Sequence, residues 1–175
     1  YYAFNHLAAR KSIDFTFEKK EERLSAWFDK SIIEKVIFNL LSNAMKFTPD
    51  NGKVVFSLSK CTFADLSPEQ QTELKALPAD TKFACFSVAD SGKGISEDEV
   101  KNIFAPFYQG EDNNKENVGT GIGLSLTRSI VHLHGGAITV SHNQPTGTIF
   151  EVYIPISSNA YDASQLVEEE DGQVV

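Results

Sequence analysis

The sequence predicts an α+β domain: a two-layer α/β sandwich whose mixed, mostly antiparallel sheet is covered on one face by helices. Three observations predict it. Segments of alternating polarity interleave with segments of helical period. Two alternating segments close the domain as a hairpin around 144–147 (QPTG). The 175 residues are 41% hydrophobic and 23% charged, which suits one globular domain with a buried core and excludes disordered and fibrous classes.

The elements follow in order. Residues 1–10, with Tyr2, His6 and Ala9 spaced as one face, predict the last turns of a helix. Ile13, Phe15 and Phe17 alternate with polar residues and predict a strand. An apolar patch at 24–28 precedes Asp29, a good N-cap for a helix in which Ile32, Ile33, Val36, Ile37, Leu40, Leu41, Ala44 and Met45 recur at three and four. Pro49, Asn51 and Gly52 end it. Val54, Phe56 and Leu58 predict a second strand and 83–89 a third. Between them, 61–81 carries Pro68, Pro78 and a polar helical stretch, which reads as a surface excursion. Ser96 and Glu99 form a capping box that opens a short helix to Phe104. Ten polar residues without periodicity, 109–118, predict a mobile loop. Ile122, Leu124, Leu126, Ile130, Val131 and Leu133 then predict a helix stopped by Gly135 and Gly136. Strands at 137–141 and 148–156 complete the domain, and from Ser157 the chain reads as a solvated linker.

The net charge of −8 argues against a nucleic-acid partner, whose phosphates need a basic surface. Asp162, Glu168, Glu169, Glu170 and Asp171 carry much of that charge, so the body is close to balance and suits an anionic ligand. Cys61 and Cys85 are too few for a disulfide scaffold, which favours a reducing compartment and ordinary thiols. No segment has the apolar length of a membrane span, and 1–10 lacks a signal-peptide pattern. Met45 is the only methionine, so Tyr1 is expected to continue a longer chain.

Three constellations carry chemistry. Asn39, Asn43 and Lys46 are spaced four and three apart, along one face of the long helix, with Phe47 beside them. Amide oxygens are neutral hard ligands suited to a magnesium ion that takes the rest of its shell from water and phosphates, and Lys46 offers those phosphates a point charge. A solvated helix flank is the alternative. Second, Asp90-Ser91-Gly92-Lys93-Gly94-Ile95 follows an apolar strand. Its glycines let the backbone bend and a ligand approach, and the carboxylate accepts from an exocyclic amino group, which adenine has and guanine replaces by a carbonyl. A plain strand-to-helix turn is the alternative. Third, Gly119-Thr120-Gly121-Ile122-Gly123-Leu124 opens the second long helix, where free N–H groups make a cradle for phosphate oxygens. A dinucleotide fingerprint and a Walker A loop are both excluded by what surrounds it.

In this order the motifs resemble the catalytic and ATP-binding domain of two-component sensor histidine kinases, with its Bergerat fold. Residues 39–49 (NLLSNAMKFTP) resemble the family's N box, 90–95 (DSGKGI) its first glycine box, 103–108 (IFAPFY) its F box and 119–124 (GTGIGL) its second glycine box. The resemblance spans about 13–156. It implies Mg2+ on Asn43 with Asn39 beside it, phosphate contacts from Lys46 and the glycines, ring packing on Phe47 and adenine recognition by Asp90, with Asn43 and Lys46 as the catalytic pair. The implied nucleotide contacts extend to Gly92, Gly94, Ile95, Phe107, Gly119, Thr120, Gly121, Ile122, Gly123 and Leu124. Residues 109–118 become an ATP lid hinged by Gly110 and Gly119. Gln109 and Val118 depart from relatives that carry a basic residue and a glycine there.

The implied function is transfer of the γ-phosphate of Mg-ATP to a histidine on a separate helical dimerisation domain. His6, His132, His134 and His142 lack the His-Glu/Asp context of the family's phosphoacceptor. Residues 1–11 are then the end of the upstream dimerisation and phosphoacceptor helix, 12–157 the ATP-binding domain, and 158–175 an acidic linker or tail. Implied partners are that upstream domain and a response regulator or receiver domain, in the same chain or another. The parent is expected to be a membrane-associated homodimer with this domain in the cytoplasm. Two rivals stay open: a clamp ATPase of the same fold, whose relatives carry a glutamate where this chain has Asn39, and a nucleotide-sensing module.

Overall fold

The structure is a computed structural model and describes residues 2–20, 29–74, 77–110 and 120–156. Along the chain run helix α1 (Tyr2–Arg10), strand β1 (Asp14–Lys19), α2 (Lys30–Phe47), β2 (Lys53–Thr62), a 3-10 turn (Phe63–Asp65) and α3 (Pro68–Glu73). Then come β3 (Lys82–Asp90), α4 (Glu97–Asn102), α5 (Gly123–Leu133), β4 (Ala137–His142) and β5 (Thr148–Pro155). The apolar patch at 24–28, the centre of the polar loop, Gly119 and the acidic tail lie outside the described residues.

The strands pair in the order β1-β2-β3-β5-β4, with β1 parallel to β2 and every other pair antiparallel. A parallel pair needs a long crossover, and α2 supplies it. The Asp29 side chain opens α2 by accepting from the N–H groups of Ser31 (2.9 Å) and Ile32 (3.4 Å). Ile33, Val36, Leu40, Leu41, Ala44 and Met45 of α2 are buried against the sheet. Full burial of such a residue is worth about 1.5–3 kcal/mol, so this one stripe fixes α2 on its layer. At its other end the Lys11 ammonium donates to the carbonyls of Met45 (2.9 Å) and Thr48, where a cation also complements the helix dipole.

Alternation along the strands divides the core. Ala84, Phe86 and Val88 of β3, with Ile138, Phe150, Val152 and Ile154, meet α2 and Val131 of α5. Phe83, Ala137 and Tyr153 point to the opposite face, where Leu66 and Leu74 cover them. The 61–81 segment, expected as a surface excursion, therefore seals part of the second face. Gln70 fastens it by donating to the Tyr153 hydroxyl at 2.6 Å. In α1 the buried residues are Phe4 and Ala8, whereas His6 and Ala9, expected on its inner face, are exposed. No helix among the described residues is long and apolar enough to cross a membrane.

Candidate functional site

The C-terminal half of α2, the end of β3, the start of β5 and the start of α5 surround a cavity of about 370 Å3. Asn39, Asn43, Lys46 and Phe47 line it from α2, and Asp90, Gly94 and Ile95 line it from the end of β3 onward. Thr120, Gly121, Gly123 and Leu124 form the opposite side. Three constellations separated by as many as eighty residues thus share one space.

On α2 the two amides differ. Asn39 Nδ2 donates to Thr127 Oγ1 at 2.8 Å, and that hydroxyl donates to the carbonyl of Gly123 at 2.9 Å, so Asn39 is tied to the first turn of α5. Asn43 forms no side-chain hydrogen bond with any described residue, although it lines the cavity. Lys46 Nζ lies 4.9 Å from the Phe47 ring centroid. One amide is held by the fold and the other lines the cavity without a side-chain hydrogen bond among the described residues.

Asp90 is only 6% exposed. Its Oδ1 accepts the Gly92 N–H at 2.8 Å. Burial raises its carboxyl above the usual carboxylate range, and the N–H groups of Gly92 and Thr148 oppose that rise. Gly92 itself does not line the cavity; it makes the turn possible, since a Cβ there would stand 2.7 Å from the Phe47 carbonyl oxygen and 2.8 Å from Asp90 Oδ1.

At α5 the N-cap residue Ile122 supplies no side-chain acceptor, so among the described residues no side chain caps the first-turn N–H groups, the donors an anion needs. A Cβ on Gly123 would meet Asn39 Oδ1 at 2.6 Å, and one on Gly121, whose φ is +68°, would meet the Phe107 carbonyl carbon at 2.7 Å. These glycines are the reason α5 can approach α2 and the 107–108 turn. The Phe107 N–H also donates to the Gly121 carbonyl at 2.9 Å.

Besides Gly92, two expected contacts fall elsewhere. Phe107, at φ +63°, is 73% exposed, and Tyr108 takes the place at the cavity that was expected of it. Ile122, the N-cap of α5, is 42% exposed and also stays off the cavity, although Gly121 and Gly123 on either side of it line it. Sequence reasoning missed Ser42, Glu99, Ile103, Tyr108, Thr148 and Phe150, all of which line it. Thr148 and Phe150 arrive through pairing of β5 with β3, where Phe150 opposes Val88.

The chemistry of this space is that of a polyphosphate nucleotide. An apolar slot of Ile95, Ile103, Leu124 and Phe150 suits a base, and Asp90 supplies an acceptor beside it. Lys46, the amides of α2 and the α5 N-terminus give the same cavity the charge and polar groups that suit an anion. Comparison with known proteins agrees. The family model described as histidine kinase-, DNA gyrase B-, and HSP90-like ATPase matches residues 28–158. Histidine kinase P4 of Formosa agariphila is 29% identical over 97% of this chain, and sensor histidine kinase TmoS of Ectopseudomonas mendocina is 35% identical over 96%. The chain spans only 11% and 16% of the length of these two relatives. A solved catalytic domain of histidine kinase ThkA superposes with a TM-score of 0.69 at 29% identity, covering 92% of this chain and 90% of that one. ThkA solved in complex with response regulator protein TrrA gives a TM-score of 0.65 at 28% identity, covering 90% of this chain and 38% of that one. The chain is a catalytic, ATP-binding domain of the sensor histidine kinase type and belongs to the histidine kinase-, DNA gyrase B- and HSP90-like ATPase family.

Proposed function

We propose that this domain binds Mg-ATP and presents its γ-phosphate to a histidine carried on a separate helical domain. One observation carries the reading: a single cavity holds an amide (Asn43) and a helix N-terminus that no side chain among the described residues engages, a cation (Lys46) and a buried carboxylate (Asp90). The donor set fits Mg2+, since Asn43 and the Asn39 Oδ1 are neutral hard oxygens that leave most of the shell to water and phosphates. Asn43 would hold the ion with Asn39 beside it, and the ion would neutralise phosphate charge there. The chain's own residues do the rest by positioning. Lys46 draws the phosphates toward α2, the α5 N–H groups receive them, Gly121 and Gly123 let α5 close up against its neighbours, and Asp90 accepts from the adenine amino group.

Transfer is favoured over hydrolysis because the carboxylates among the described lining residues, Asp90 and Glu99, both already accept backbone N–H groups and neither is carried by α2. At the α2 position where a hydrolytic glutamate would stand, Asn39 is an amide and cannot take a proton from water. The proposal extends to the parent: residues 1–11 ending a dimerisation and phosphoacceptor helix, 12–157 as the catalytic domain with a lid at 109–118, and 158–175 as a linker. A response regulator or receiver domain would take the phosphate onward, as the ThkA complex with TrrA suggests. The domain would be cytoplasmic within a dimeric, membrane-anchored protein.

The test is ADP release from the chain at saturating Mg-ATP, with calorimetry on a non-hydrolysable analogue to show that the site fills. Binding with almost no turnover, and phosphate appearing on an added histidine-bearing helical domain, is the expected result. Sustained turnover that Asn43→Ala removes would make water the acceptor and overturn it.

A further inference from the structure

The carbonyls around Asp90 have partners in a segment that sequence alone reads as an ordinary hairpin turn. The β4–β5 connection, 143–147, lies against 90–94. Asn143 Nδ2 donates to the Asp90 carbonyl at 2.7 Å, and Thr146 Oγ1 donates to the Gly92 carbonyl at 3.0 Å. The first donor is itself held. The Asn143 N–H donates to the Gly147 carbonyl at 3.0 Å, and Asn143 Oδ1 accepts the Gln144 N–H at 2.9 Å. The approach is close: a Cβ on Gly147, at φ +121°, would fall 1.9 Å from the Asp90 carbonyl oxygen, and one on Gly94 would fall 3.2 Å from the Gly147 carbonyl oxygen. From the β2 side, the Ser91 N–H donates to the Lys53 carbonyl at 2.9 Å and its hydroxyl accepts the Lys53 N–H at 2.7 Å. The peptide units from Asp90 to Gly92 are therefore gripped from two sides, while neither Asn143 nor Thr146 lines the cavity that Asp90 does.

We propose that Asn143 and Thr146 are positioning residues for base recognition, holding the Asp90 and Gly92 carbonyls so that the Asp90 carboxylate discriminates an exocyclic amino group from a carbonyl. The inference rests on the reading that the base sits at Asp90. A carboxylate rejects a carbonyl only if it cannot turn away, because hydrogen bonds weaken steeply as their angle opens and the repulsion between two acceptors is relieved by small movements. A loosened turn lets Asp90 relax around the wrong base. Selectivity then falls further than affinity for the right one. The turn's two side-chain donors come from a different strand pair than Asp90, so they set the carboxylate's aim without touching the nucleotide.

The test compares a non-hydrolysable ATP analogue with its inosine counterpart, which differs in carrying a carbonyl in place of the amino group, by calorimetry on the full chain. Thr146→Val and Asn143→Ala are each expected to narrow the adenine preference about fivefold, the equivalent of one ordinary hydrogen bond. Thr146→Ser keeps the hydroxyl and should keep the parent ratio. Equal losses for both nucleotides, or an unchanged ratio in Thr146→Val, would overturn the proposal and leave these residues purely structural. If Asn143→Ala does not fold, the Thr146→Val and Thr146→Ser pair decides. A parent chain without adenine preference would defeat the reading of the base site itself, and it shows before any variant is compared.

Discussion

Asn39 and Thr127, 88 positions apart, are joined by a 2.8 Å hydrogen bond that ties the amide-bearing helix α2 to the glycine-led helix α5. Thr127 is buried and its hydroxyl donates to the Gly123 carbonyl, so one hydroxyl serves both helices. Thr127→Val keeps the shape and leaves the Asn39 amide without its acceptor, at a cost of about 1–3 kcal/mol. Denaturant unfolding should show that loss. Combining it with Asn39→Ala should cost less than the sum of the single changes, because the second removes the donor that the first stranded. Additive losses would mean the two side chains do not act together.

Gly121 and Gly123 should respond unequally to alanine. At Gly123 the obstacle is the end of the Asn39 side chain, which can yield by turning. At Gly121 it is the Phe107 and Tyr108 backbone, and φ +68° adds about 1–2 kcal/mol of strain for any residue with a Cβ. Gly121→Ala is therefore expected to lower both melting temperature and nucleotide affinity more than Gly123→Ala. In an Asn39→Ala background, Gly123→Ala should cost less melting temperature than in the parent, and Gly121→Ala as much as in the parent. Thermal melting of the single and double variants, with calorimetric titration of the two glycine variants, checks the order.

What the sequence makes legible here is local. Asp29 before an apolar stripe and the Ser96–Glu99 pair are signals spanning three or four residues, and both caps form. Strands such as Val54, Phe56 and Leu58 alternate visibly, whereas 83–88 reads as an apolar run whose two faces part only in the fold. Contacts that need two strands to meet are silent in the sequence: Thr148 and Phe150 reach the cavity through the β3–β5 register, and Asn143 reaches Asp90 through a turn 53 positions away. Leu66 and Leu74 are too sparse to reveal that they cover a second sheet face. Phe107 misleads for a different reason, since nothing marks a phenylalanine for a left-handed backbone that leaves it exposed. In α1, Tyr2 and His6 drew the inner face toward themselves because amphipathic rings blur a short stripe, while Phe4 and Ala8 do the packing.

Asn43→Ala should separate binding from folding. Asn43 has no hydrogen-bond partner among the described residues, so its removal should change stability by about 0.5 kcal/mol or less. Magnesium-dependent nucleotide binding should fall at least about tenfold, the equivalent of one lost metal ligand. The check is titration with and without Mg2+. Binding that stays magnesium-dependent at parent strength would remove Asn43 from the metal site.

Asp90→Asn should alter stability and selectivity in ways that pH separates. Burial is the larger influence on the Asp90 carboxyl and raises its folded-state pKa above the ordinary 3.8. A folded protein that holds this proton more tightly than the unfolded chain is favoured below that ordinary value, and the advantage is lost as pH rises through the folded pKa. Above it, the ionised carboxylate is kept desolvated at a cost that an amide does not bear. Relative to the parent, the melting temperature of Asp90→Asn should therefore climb from acid to neutral pH and then level off. The same variant should lose adenine preference, since the amide can offer a donor to the carbonyl that the carboxylate rejects. A melting-temperature difference that stays flat from acid to neutral pH would show that Asp90 titrates alike in the folded and unfolded chains. A buried carboxylate kept at a cost to the empty fold is what a site selected for ligand recognition would carry.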